Sequence, residues 1–122
     1  VKFLIIIPAY NEQDNLIFTL NSLQQQSCKD FKVVVVNDGS TDATPEIIKK
    51  YTEQDSRFET VNLERSLHQP GSKVVSAFKK GLQTHDLADF GIICKFDADI
   101  ILGEDYLLYI QNAFQNNPVY GL

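Results

Sequence analysis

The chain has 122 residues, 43% of them hydrophobic and 22% charged, which is the length and composition of one ordinary domain with a real core and not of a disordered segment. Its formal charge of −5 argues against a broad nucleic-acid or anionic-membrane surface, since phosphate backbones attract clustered Lys and Arg. A phosphate-bearing small molecule stays compatible with that charge if a divalent metal bridges the two negative parties.

Two cysteines make no disulfide framework, so a reducing, cytoplasmic setting is the expectation. No apolar run approaches the ~18 residues of a membrane span, and the first such run lacks the length and cleavage site of a signal peptide. The chain contains no Met, which reads as a processed product or an excised piece of something longer.

Taken in order, Phe3-Leu4-Ile5-Ile6-Ile7 is a continuous apolar strand of the kind covered on both faces, ending at Pro8. A helix then starts near Asn11, with Asp14 three positions on as a loose capping box, and carries Leu16, Leu20 and Leu23 at helical spacing. Val33-Val34-Val35-Val36 is the second strand. After the turn cluster Asn37 to Asp42, Thr44 before Pro45 reads as an N-cap followed by proline at the first helical position, with Ile47, Ile48 and Tyr51 as the apolar face. Phe58 to Leu63 is a weaker third strand, Val74, Phe78 and Leu82 mark a third helix, Phe90 to Phe96 a fourth strand, and Leu107, Ile110 and Phe114 a fourth helix. This β-α-β-α-β-α-β-α order predicts an α/β fold, a mostly parallel sheet with helices on both faces. The residues from Asn116 to Leu122 resemble a loop entering a further strand, so the architecture is expected to be truncated after the fourth βα unit.

Ligands of open α/β sheets bind beyond the carboxyl ends of the strands, and the polar residues collect there: Pro8-Ala9-Tyr10-Asn11-Glu12, Asn37 to Asp42, Glu64-Arg65, and Asp97-Ala98-Asp99. Ser40, Thr41 and Asp42 serve equally well as ordinary turn and cap residues. The two aspartates of Asp97-Ala98-Asp99 are costly side by side unless something neutralises them. A hard cation such as Mg²⁺ or Mn²⁺, sharing its ligands with substrate phosphate, does so; alone, the pattern is also that of a solvated loop.

Together, Pro8 to Glu12, Val36 to Asp42 and Asp97-Ala98-Asp99, in this order at these strand ends, resemble the family 2 glycosyltransferases of the Rossmann-like GT-A fold. Gly71-Ser72-Lys73 with Ala77 and Gly81, and Ser22 to Gln26, extend the resemblance over nearly the whole chain. The resemblance implies that residues 1–122 form the nucleotide-sugar-binding, or donor, half of such a domain. It implies that Pro8, Ala9, Tyr10 and Glu12 line a nucleotide pocket, that Asp38 accepts a ring N–H of the base, and that Asp97 faces the ribose or a metal-bound water. Asp99, with Asp97, then binds the Mg²⁺ or Mn²⁺ that grips the diphosphate, and Lys73, favoured over Arg65, supplies a cationic contact. The implied reaction is inverting transfer of a sugar from a nucleotide-diphospho-sugar, in the UDP-sugar class, to a saccharide or lipid-linked acceptor that the sequence does not name. Such enzymes take their general base from the acceptor half; Glu104 and Asp105 open the fourth helix as cap residues, so the base is expected beyond Leu122. A longer parent can sit at the cytoplasmic membrane face.

Two other readings remain: a nucleotide- and metal-binding module without catalysis, and a GT-A-like nucleotidyltransferase. A metal-dependent phosphatase with Asp97 as nucleophile fits poorly, because its acids follow the first strand. No Gly-x-Gly-x-x-Gly or Walker A pattern is present. His68, His85, Cys28, Cys94 and the pairs Lys49-Lys50 and Lys79-Lys80 are expected to have no chemical role.

Overall fold

The protein is described by a computed structural model over residues 2–64 and 70–116, the side chains of 70–75 excepted. In chain order the elements are β1 (Phe3–Ala9), α1 (Leu16–Gln24), β2 (Phe31–Asp38), α2 (Thr44–Gln54), β3 (Phe58–Leu63), α3 (Pro70–Leu82), a short 3₁₀ turn (Leu87–Asp89), β4 (Ile92–Lys95) and α4 (Tyr106–Asn116). The four strands form one parallel sheet in the order β3-β2-β1-β4. The chain therefore steps outward from β1 to β3, then crosses back to the far side of β1. That reversal makes the carboxyl ends of β1 and β4 the switch point at which open α/β sheets bind their ligands.

The unbroken apolar runs of β1 and β2 are explained by two cores. Phe3, Ile5, Ile7, Val33 and Val35 pack with Leu16, Leu20 and Leu23 of α1, Ile48 and Tyr51 of α2, and Leu107 and Ile110 of α4. Leu4, Ile6, Val34 and Val36 pack on the other face with Ala77, Phe78 and Leu82 of α3. A parallel strand covered on both faces has no polar side to alternate with. The edge strand β4 does alternate, with Ile92 and Cys94 buried and Ile93 and Lys95 outward.

Several boundaries differ from the sequence expectation. β1 continues through Pro8, which pairs with Val36, to Ala9. The amide of Phe96 bonds the Ile6 carbonyl at 3.0 Å, and Pro8, whose nitrogen faces the same side two residues on, has no N–H to prolong that ladder. β4 is accordingly shorter than Phe90 to Phe96. α1 begins at Leu16 and not near Asn11, which takes a left-handed φ of 50° and belongs to the preceding loop. Thr44 is the first residue of α2 and not its cap, because its hydroxyl is engaged across the loops, as described below.

Gly81 lets α3 approach the sheet closely. A Cβ there stands 2.5 Å from Ile6 Cγ2 and 3.0 Å from Val36 Cγ2, both on β-branched side chains that cannot swing aside. Overpacking of ~1–3 kcal/mol then outweighs the helix-propensity gain of ~1 kcal/mol. Gly81→Ala is expected to lower stability by about 1–2 kcal/mol, read as a lower urea midpoint at unchanged slope.

Candidate functional site

The loops after β1 and β2 are stitched to each other. The Asn11 amide donates to Ser40 Oγ at 3.0 Å, the Thr41 amide to Asn11 Oδ1 at 2.8 Å, the Glu12 amide to Thr44 Oγ1 at 2.9 Å, and the Ala43 amide to Gln13 Oε1 at 3.0 Å. Asn37, at the end of β2, accepts from the Ser40 amide and donates to Asn62 at the end of β3. Gly39, at φ 69°, turns the chain out of β2 in a conformation that suits glycine. Ser40, Thr41 and Asp42 are thus fastenings between loops, the plainer of their two readings. Burial pushes the Asp42 carboxyl up, but bonds from the Thr44 hydroxyl and amide and the Gln13 amide outweigh it and hold the group below its ordinary 3.8.

This stitching fixes the segment Pro8 to Glu12 beside the end of β2. Pro8 and Ala9 lie in the strand, Ala9 buried, while Tyr10 turns outward and Glu12 is half-buried. Asp38, the last residue of β2, is buried at 6% exposure, unlike Asp97 and Asp99, which are exposed. Between the latter two, Ala98 is buried and its carbonyl accepts a bond from Thr19 Oγ1 of α1 at 3.1 Å. Asp97 also pairs with Lys95 Nζ at 3.2 Å; among the described residues, nothing engages the Asp99 carboxylate. Lys73 belongs to α3, but its side chain lies outside the described residues, as does the whole of Arg65.

The pKa of Glu12 reports how these strand ends converge. Burial raises it above its ordinary 4.5, a bond from Asn15 partly offsets this, and the charges of Asp99, Asp42 and Asp97 raise it further. A carboxyl whose folded pKa is raised favours the folded state once protonated, so its penalty is relieved below pH 4.5 and complete above the raised folded value. Glu12→Gln is expected to raise the melting temperature at pH 7, the gain shrinking as the pH falls toward 4.5; an equal gain at both pH values contradicts the raised pKa.

No three His, Cys, Asp or Glu among the described residues are grouped to hold a metal unaided. The donor set nevertheless fits a hard cation of the Mg²⁺ or Mn²⁺ type, which binds through one or two carboxylates and takes its remaining oxygens from phosphate and water. Asp99 and Asp97 are such donors, with their charge field already felt at Glu12.

Other side chains fall outside this edge. His85 Nε2 lies 2.6 Å from Glu59 Oε2 and its ring meets Phe90 edge-on, so it ties α3's end to β3. Burial pushes the Cys94 thiol up to about 11, which keeps it unreactive. Cys28 is partly buried, and His68 lies outside the described residues. Glu104 and Asp105 do precede α4, but Ser27 Oγ donates to Asp105 at 2.6 Å, and the helix's Leu107 amide bonds to Gln26 Oε1 at 2.9 Å. That cap comes from α1's end, which no local spacing reveals. The usable signal is chemical: Thr19, Ser22 and Gln26 are polar residues within the apolar stripe of Leu16, Leu20 and Leu23.

The model of the family described as "Glycosyl transferase family 2" matches residues 4–122. The chain belongs to glycosyltransferase family 2. Amylovoran biosynthesis glycosyltransferase AmsB of Erwinia amylovora, similar in sequence, is 33% identical over 101 residues, 81% of this chain and 31% of that protein. The crystal structure of S. aureus TarS 1-349 matches at a TM-score of 0.80 and 27% identity, over 97% of this chain and 33% of that one. The same TarS fragment in complex with UDP matches at 0.75 and 24%. Mannosyltransferase PcManGT of Pyrobaculum calidifontis, in complex with GDP-Man and Mn²⁺, matches at 0.72 and 21%, over 98% of this chain and 34% of that one. The parallel sheet with helices on both faces is therefore the GT-A architecture of the family. The chain spans about a third or less of the length of these relatives. No described helix is long and apolar enough to cross a membrane.

Proposed function

We propose that the chain is the donor half of a family 2 glycosyltransferase, binding a nucleotide-diphospho-sugar of the UDP-sugar class with a divalent metal for inverting transfer to a saccharide or lipid-linked acceptor. The observation that carries this reading is the meeting of Glu12, Asp97 and Asp99 at the reversal between β1 and β4, close enough for the aspartate charges to raise the Glu12 pKa. The UDP complex of TarS and the GDP-Man and Mn²⁺ complex of PcManGT, proteins of the same architecture, lend it support.

On this reading Pro8, Ala9 and Tyr10 form one wall of the nucleotide pocket and Glu12 its acidic rim. Asp38, held at the end of a buried strand, accepts a ring N–H of the base, a bond strengthened by its charge and its burial. Asp97 faces the ribose, and Lys73 offers a cation to the diphosphate. Mg²⁺ or Mn²⁺ held by Asp99, with Asp97, supplies neutralisation of the charge that builds on the departing diphosphate. The acceptor hydroxyl attacks the anomeric carbon from the opposite side, losing its proton to a general base. Asp105 is bonded to Ser27 and Glu104 lies beside it at the start of α4, which favours a base supplied by neither.

Calorimetric titration of the chain with UDP, with and without MnCl₂, tests this reading. Binding is expected with Mn²⁺ and largely lost under EDTA, and Asp38→Ala is expected to weaken it about 10-fold, the worth of one hydrogen bond to a charged group. Binding indifferent to the metal, or none, overturns the assignment.

A further inference from the structure

Helix α1 and the turn that ends it bear three polar residues directed to the core: Thr19 and Gln26 have no exposed surface, and Ser22 has little. Ser22 bonds within the helix, to the Thr19 carbonyl. The other two reach out of it to the segment that follows β4. Thr19 Oγ1 donates to the Ala98 carbonyl at 3.1 Å. Gln26 Nε2 donates to the Gly103 carbonyl at 2.6 Å, its Oε1 accepts from the Leu107 amide at 2.9 Å, and the next residue's amide, Ser27, donates to the Glu104 carbonyl at 2.9 Å. The stretch from Ala98 to Leu107, which carries Asp99 near its start, is thus fastened at one end to α1 and at the other to the turn that follows it.

The front fastening is the informative one. Ala98 lies in a turn outside the sheet, after the last ladder bond from Phe96 to Ile6. From there the Thr19 hydroxyl decides where the peptide between the two aspartates points. A hydroxyl inside an apolar helix face is costly unless it is bonded, and α1 needs no hydroxyl there for its own packing. We propose that Thr19 is a positioning residue for Asp99: by holding the Ala98 carbonyl inward it presents the neighbouring carboxylate, oriented, to the metal–diphosphate of the donor. This rests on the donor reading above. Gln26 does the same from the far end, by fixing where the segment rejoins α4.

Four variants separate positioning from mere stability. Thr19→Val keeps the shape and loses the hydroxyl, Thr19→Ala loses it without a new methyl, Thr19→Ser retains it, and Ile48→Val trims the α2 core away from the site. Each is measured for UDP affinity with Mn²⁺, and for amide hydrogen exchange, which needs no ligand. Thr19→Val and Thr19→Ala are expected to weaken Mn²⁺-dependent UDP binding about 10-fold, the lower end for residues that orient a metal ligand. They are also expected to speed exchange at residues 97–101 but not in α2. Thr19→Ser should restore both, and Ile48→Val should change neither. Parent-like affinity in the hydroxyl-free variants, or an equal loss in Ile48→Val, overturns the positioning role. A parent chain that binds no UDP overturns the donor reading itself, and this role with it.

Discussion

Asp99→Asn is expected to raise the Kd of the chain for UDP in the presence of Mn²⁺ by roughly 100-fold, the upper end of what residues that only orient a metal ligand cost, while leaving the fold intact. Asp99 is exposed and, among the described residues, unengaged by any cation, so its carboxylate contributes nothing visible to packing. Its charge is instead a burden, being one of those that raise the pKa of half-buried Glu12. Removing it should therefore leave the melting temperature unchanged or slightly higher, the opposite sign to a structural residue. Asp97→Asn should cost less affinity, about 10-fold by the same scale, because Asp97 already shares its charge with Lys95 at 3.2 Å. Calorimetry paired with thermal melts reads both signs in one pair of experiments. Equal affinity in Asp99→Asn and parent removes Asp99 from the site, and a large drop in melting temperature shows a structural role instead.

Gln26→Leu is expected to be the most damaging of the substitutions considered for stability. The side chain is fully buried, and its amide gives one N–H to the Ser22 and Gly103 carbonyls while its oxygen takes the Leu107 amide. Leucine matches it in bulk and in apolar surroundings but leaves the Gly103 carbonyl and the Leu107 amide without partners. The orphaned Leu107 amide, in a buried bond, costs ~1–3 kcal/mol and the part-buried Gly103 carbonyl about 1 kcal/mol, so the loss is about 2–4 kcal/mol, against a total stability of ~5–15 kcal/mol for a domain. Urea denaturation followed by far-UV circular dichroism measures it. Because Leu107 lies in the first turn of α4, the loss should be accompanied by faster exchange of the first α4 amides, whereas α2 exchanges as before. A loss below ~1 kcal/mol means that water or a backbone shift replaces the bonds.

The two substitutions mark where sequence patterning stops being informative. The doubled apolar runs Phe3 to Ile7 and Val33 to Val36 announced a sheet covered on both faces, and alternation with helical spacing announced parallel strands. Motifs at three strand ends were enough to suggest the family, which the match over residues 4–122 shows. Element interiors were legible because burial imposes a period on consecutive residues. The ends were less so, because they are set by partners far along the chain. Asn11 leaves α1 for a bond to Thr41, Thr44 gives up capping for the Glu12 amide, and α4 is capped by Gln26 from the turn after α1.

For this protein the sequence alone determined the α/β class, the order of elements and the residue types gathered at the carboxyl edge of the sheet. Only the tertiary structure decided that β4 lies beside β1 and not beyond β3, which puts the aspartates opposite Glu12. Only it could separate the acids that face outward from the polar residues that hold them, since Thr19 and Asp99 are eighty residues apart in the chain and are joined by a single carbonyl. Local propensity and periodicity act over a turn or two of chain. A carboxylate's usefulness depends on the field and the fastening around it, which only long-range contacts create.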